Sequence, residues 1–333
     1  MSRSTRKRTG RRHARCPALA IVAALLAPLP LPAAEAVAAL QLAQFPGSGD
    51  AGQAYLQQML REALAQTRDY RQLPVSLSEL PMNPQRIAGE ITRPLGKANI
   101  ALWACDGGLM NEPGVRRIDV PVDRGMSSYW LLLTREELLP RLQKIHSLEQ
   151  LRPLKLTFGF PLGQNLRPVW REHLDIQDAP NQAQAMRMLQ QGRFDAILVN
   201  PGHHQRIQAN LPADGARLAY EPNLLLEHPS ATCFAVGEQN EQLAQQLQQG
   251  LQAVIRNDGA RRISEATRQK NAPAELNLGN RQRLLLPASE TMERILKPYG
   301  EWMYKPGPHA SRTGIGLQAR LHALPRAACR HSA

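Results

Sequence analysis

Short apolar runs alternate along the chain with segments whose apolar positions recur every three to four residues, the pattern of strands alternating with helices. Leu40-Gln-Leu-Ala-Gln-Phe45 predicts a first strand, Pro46-Gly-Ser-Gly-Asp50 a turn-rich loop, and Tyr55, Met59, Leu60 and Ala63 the apolar face of a first helix. A second strand is expected over 73–77, a helix over 85–93, and Asn99–Cys105 as a strand with an unbroken apolar run. Unbroken runs imply burial on both faces, as in a parallel sheet, and their alternation with helices implies βαβ units.

Arg117–Val122 and Tyr129–Thr134 are expected to carry the chain through a further strand and out of the first compartment, with a helical crossover over 136–153. A second α/β round follows: a strand over 154–160, a Gly-containing turn and helix over 164–173, a helix over 182–191 and a strand at Phe194–Val199. Ala231–Val236 is expected to return to the first lobe, leading into a long helix with Leu243, Leu247, Leu251, Val254 and Ile255 on one face. The predicted fold class is therefore α/β and two-lobed. Residues 37–134 and 231–305 form the first lobe, 135–230 the second, and 306–333, rich in Pro, Gly, Ala, Arg and His, a disordered tail.

A length of 333 residues exceeds the usual single-core size and suits two such lobes. The hydrophobic share of 43% with only 5% aromatics fits a folded chain rather than a disordered or membrane-embedded one. The net charge of +13 would suggest a nucleic-acid partner, but its location argues otherwise. Seven Lys and Arg residues precede residue 16, and Arg312, Arg320, Arg326 and Arg330 lie in an acid-free tail, so the middle of the chain is nearly neutral. No nucleic-acid partner is expected.

The first segment has the three parts of a secretory signal: a basic start, an apolar stretch over Ala18–Leu31, and small residues at Ala34-Glu35-Ala36. Export to the periplasm with removal of residues 1–36 is the expectation. Pro28, Pro30 and Pro32 interrupt the apolar stretch, which is too short to span a bilayer stably, an uncleaved anchor being the alternative. Arg11-Arg12 lacks the rest of a twin-arginine pattern, and Cys16 precedes the apolar stretch and so does not resemble a lipidation site.

Beyond the signal remain Cys105, Cys233 and Cys329. Cys105 and Cys233 both follow apolar runs and are expected as buried free thiols, with a bridge between them as the alternative. No metal-ligand spacing is present, and neighbouring side chains at His203-His204 would point apart on an extended backbone, which suits a surface loop. The sequence holds no nucleophile elbow, zinc-protease helix, phosphate loop or dinucleotide fingerprint, and Asp178 and Glu221 are carboxylates without an evident partner. A protein that is not an enzyme and needs no cofactor is expected. The alternative is a periplasmic hydrolase or cell-wall enzyme on the same scaffold.

Ser147–Leu154 followed by Lys155–Gly163, the stretch Asn181–Asn200 with its helix, Gly and "Asp-Ala" strand, and more loosely Gly114–Val122 carry a family resemblance. Over about residues 40–270 the chain resembles the type II periplasmic substrate-binding proteins, in particular the amino-acid-binding branch. The resemblance implies two lobes joined by a two-strand hinge and a small polar ligand held between them. It further implies a monomer whose partner is a membrane transporter or a sensor's outer domain. Two departures bear on the ligand: Asn200 stands where many members carry an Asp that holds an ammonium group, and Gly163-Gln164-Asn165 replaces the usual Gly-Ser/Thr pair.

Candidate ligand contacts follow from this. Gly163, Gln164 and Asn165 open a helix, where free backbone N–H groups attract anions. Arg116 or Arg117 would clamp a carboxylate, Asn200 would offer its amide, and Trp103 and Tyr129 would form an apolar wall. Each has an ordinary structural alternative: a turn, a solvated pair, a turn cap, and core packing.

Overall fold

The structure is a computed structural model that describes residues 39–44, 51–159, 167–259, 262–263 and 276–307. The expected signal segment, Gly163–Asn165 and nearly all of the expected tail lie outside these residues. The first stretch gives β1 (Leu40–Leu42), α1 (Ala51–Ala65), β2 (Val75–Leu77), α2 (Pro84–Ile91), β3 (Ile100–Ala104) and β4 (Val115–Arg117). The second gives β5 (Tyr129–Arg135), α3 (Leu139–Leu142), α4 (Leu148–Leu151), β6 (Lys155–Phe158), α5 (Arg167–Arg171) and β7 (Asp175–Ile176). It continues through α6 (Gln182–Gln190), β8 (Ala196–Val199), α7 (His204–Ala209), β9 (Leu218–Tyr220) and β10 (Leu224–Glu227). The chain then adds β11 (Thr232–Gly237), α8 (Glu241–Arg256), β12 (Gln282–Leu285) and α9 (Glu290–Leu296).

Local chemistry sets several of these boundaries. Asn83, Asn181 and Ser289 each accept a hydrogen bond from the third residue ahead, capping α2, α6 and α9, and Pro84 opens α2 where its missing N–H costs nothing. The strand expected over 117–122 instead ends at Arg117, because Pro121 cannot donate to a ladder; Ile118 and Val122 still bond to the carbonyls of Phe234 and Thr232.

The strands form two sheets, which gives the expected α/β class with its two halves. The first has the order β2-β1-β3-β11-β4, with β1 parallel to β2 and β3, and β11 antiparallel to β3 and β4. Its core gathers Ile87, Ile91, Trp103, Met110 and Val115. The second has the order β12-β10-β5-β8-β6-β7, with β9 also on β5. Trp130, Phe158 and Trp170 meet edge to face at 5.1–5.7 Å in its main core, and Phe194, Ile197 and Leu189 fill another cluster.

Two placements differ from the sequence reading. Tyr129–Thr134, expected in the first lobe, lies in the second sheet, with Leu131 opposite Val199 and Trp130 opposite Leu226. Every residue of β5 is buried, so both faces of the strand are covered, and within the second sheet β10 and β8 pair with its backbone. The span 231–305 does not stay in the first lobe either: β12 pairs in parallel with β10, after which α9 returns Met292 and Ile295 to the first core. The chain therefore makes a second excursion beyond the two expected crossings.

Cys105 and Cys233 form a disulfide with Cα atoms 5.0 Å apart, rather than the two free thiols expected. The antiparallel register of β3 and β11 sets Cys233 opposite Trp103, and the Cys105 N–H bonds to the Ala231 carbonyl, so the bridge closes the end of the ladder.

Candidate functional site

Strand directions define where a ligand would meet this chain. β3 and β4 both run antiparallel to β11, so β1, β3 and β4 end on the edge from which the chain leaves for the second sheet. In the second sheet β8 ends beside the start of β5, β6 runs parallel to β8, and Glu227 at the end of β10 lies opposite Tyr129. The carboxyl ends of β6, β8, β10 and β12 thus face the same crossings as those of β1, β3 and β4. In open α/β sheets ligands bind outside such ends.

The first two crossings, 118–128 and 228–231, are laced together. Asp123 Oδ1 accepts from the N–H groups of Gly125 and Thr232, both at 3.1 Å, and Oδ2 accepts from Ser127 N–H at 3.0 Å and Thr232 Oγ1 at 3.2 Å. Ser128 Oγ donates to the Ser230 carbonyl at 2.8 Å and accepts from Ser230 N–H at 2.9 Å. His228, fully buried, donates its backbone N–H to the Ser128 carbonyl and sets its ring edge to face with Trp170 at 5.9 Å. Burial pushes the His228 imidazole below its usual range, with the Asp106 carboxylate and the Pro287 carbonyl opposing. None of Asp123, Ser128, Ser230 or His228 was a sequence candidate. Asp123-Arg124-Gly125 carries an Asp-turn signal, whereas the serines carry none.

The described candidates differ in their surroundings. Trp103 is buried in the first core, its ring beneath Gly107, where an added Cβ would fall 2.7 Å from the indole. Arg117 donates Nε to Asp119 at 2.5 Å and Nη1 to the Cys105 carbonyl at 2.9 Å, while Arg116 is half-buried and pairs with Glu241 at 3.1 Å. Tyr129 donates its hydroxyl to the Tyr304 carbonyl at 3.0 Å, and burial raises its phenol above the ordinary range. Asn200 spends both amide hydrogens on the carbonyls of Met126 and Tyr129, and its Oδ1 accepts from Gly202 N–H. Arg117, Tyr129 and Asn200 are held by these hydrogen bonds, Trp103 is packed within the first core, and Arg116 is tied to Glu241.

A group not anticipated from the sequence lies at the end of β3. Asp106 accepts from Ser289 Oγ at 2.9 Å through Oδ2, while Oδ1 is buried without a hydrogen-bond partner. Its backbone follows Cys105, so the disulfide fixes its place. A depression of about 600 Å³ lies between Met186, Arg187 and Gln190 of α6 and the 210–216 loop, on the side where β8 begins rather than ends. Among the described residues no group of three His, Cys, Asp or Glu side chains could hold a metal, and no helix is long and apolar enough to cross a membrane.

No protein-family model and no curated protein matches the sequence. Among solved structures the chain is similar to an amino acid ABC transporter substrate-binding protein from Streptococcus pneumoniae bound to L-arginine: 15% identity, 69% of this chain and 93% of that chain covered, TM-score 0.47. It is similar to an ancestral arginine-binding protein bound to arginine at 18% identity, with 69% and 98% covered and a TM-score of 0.44. It is also similar to the GluR0 ligand-binding core in complex with L-glutamate at 13% identity, with 68% and 97% covered and a TM-score of 0.47.

Proposed function

We propose that the chain is an exported solute-binding protein that captures a small polar ligand between its two sheets and presents the closed form to a membrane transporter or sensor. The observation that carries this reading is the convergence of strand carboxyl ends from both sheets on the same pair of crossings. Crossings of this kind allow the halves to rotate about a few residues, which is how hinged receptors close on a guest. In this proposal Asp106 contacts the ligand from the first sheet, and the stretch Gly163–Asn165, which follows β6, contacts it from the second. Arg116, Arg117, Trp103, Tyr129 and Asn200 shape and brace the site.

Thermal unfolding of the mature chain against amino acids, organic acids, polyamines and short peptides tests the reading, with each mixture assayed for turnover. A true ligand at a hundred times its Kd stabilises by about 2.7 kcal/mol. Stabilisation with the ligand recovered unchanged is the expected result. Conversion of the ligand would replace the receptor with an enzyme, and a panel without a single shift would remove the reading.

A further inference from the structure

We propose that residues 299–304 form a strap that restrains the hinge, anchored on both sides of the first crossing so that rotation of the sheets must slide or release it. The inference rests on the receptor reading above, because it concerns the motion which that reading requires.

The strap begins at α9, whose Met292 and Ile295 belong to the first core. It ends in the second, where Tyr304 packs beside Tyr129, Leu131 and Leu225. Between these anchors it lies along the crossing. Trp302 Nε1 donates to the Pro121 carbonyl at 2.9 Å, and Tyr304 N–H donates to the Arg124 carbonyl at 2.8 Å. The Tyr304 carbonyl accepts the Tyr129 hydroxyl, and the two rings meet edge to face at 5.8 Å.

Arg124 closes the arrangement from the crossing's side. Its Nε donates to the Trp302 carbonyl at 3.2 Å, and its guanidinium lies 5.1 Å from the centre of the Trp302 ring, within cation–π range. Arg124 and Gly125 are both left-handed, at φ 55° and 70°. That conformation is uncommon for an arginine, and here it accompanies contacts to the strap from both its side chain and its carbonyl. Gly125 leaves room for the residue between: a Cβ there would fall 2.1 Å from Met303 Cε. Trp302, Met303 and Tyr304 thus each touch the crossing. If the sheets rotate, the dihedrals of 123–128 change, and these contacts must exchange with them.

Distance distributions between spin labels at Arg61→Cys in α1 and Gln184→Cys in α6, both exposed positions, test this in a mature chain carrying Cys329→Ser. Trp302→Ala removes the central strap contact. Arg124→Asn removes the clamp while keeping a residue that tolerates the left-handed conformation, so the test survives if the first variant fails to fold. Pro229→Gly loosens the other crossing without touching the strap. Broader interlobe distributions in the strap variants than in the parent are expected. Unchanged strap variants beside a broadened Pro229→Gly would overturn the strap and leave the hinge standing. Identical narrow distributions in all variants would overturn both.

Discussion

The Asn200 amide donates to the Tyr129 carbonyl at 3.1 Å and, through its other hydrogen, to Met126 at 2.9 Å, pinning the end of β8 to the start of β5. An aspartate at this position would lose both donors and set a carboxylate against two carbonyl oxygens. Asn200→Asp is therefore expected to destabilise the fold by about 1–3 kcal/mol, the range for leaving polar groups without their partners. Urea unfolding measures it, and a midpoint equal to the parent's would show that the pinning carries no weight.

The Cys105–Cys233 bridge closes a loop whose ends are 128 residues apart in sequence and contain the whole of β5–β10. A cross-link over so long a span removes much of the unfolded chain's freedom, and removing a native bridge typically costs about 2–5 kcal/mol. The Cys105→Ser, Cys233→Ser double variant should melt lower, and reductant should lower the parent's melting point while leaving the variant's unchanged. An equal response of both proteins to reductant would contradict the bridge.

His228 gives the fold a pH dependence of definite sign. Burial lowers its folded pKa below the ordinary 6.5, so the unfolded chain takes up the proton first as pH falls. Stability should be level in this contribution above about pH 6.5 and decline as pH drops from there toward the folded pKa. His228→Gln, which does not titrate, should flatten that decline in denaturant midpoints taken between pH 7 and pH 5. A parent curve as flat as the variant's over that interval would contradict it.

Much of the fold was legible because its signals are local. The apolar face of α8, the unbroken run of β3 and the Gly that ends α6 each report on neighbours within a few residues. What escaped depends on distant partners. β12 shows one buried residue in four, Leu284, with Leu285 exposed, so its sequence carries no strand period; only β10 makes it a strand. Glu221 reads as a lone carboxylate, yet it accepts from the N–H groups of Asn223 and Leu224, and its carbonyl accepts from Arg281, sixty residues away. At the candidate site the same limit applies. Asp106 is one Asp among many until β3 and α9 bring it against Ser289.

Two helix glycines separate packing from propensity by opposite signs. Replacing an interior helical Gly with Ala ordinarily gains about 0.5–1 kcal/mol by restricting the unfolded backbone. At Gly89 in α2 an added Cβ meets nothing within 4 Å, so Gly89→Ala should show that gain. Gly250 lies on the buried face of α8, where a Cβ would fall 2.2 Å from the Ala63 carbonyl oxygen of α1. Backbone cannot swing aside as a side-chain tip can, so the helices must part, and overpacking of this kind costs about 1–3 kcal/mol. The clash exceeds the propensity gain, and Gly250→Ala should be net destabilising. Thermal melts of the two single variants against the parent decide it: a rise for both would mean that α1 and α8 do not pack this closely in solution.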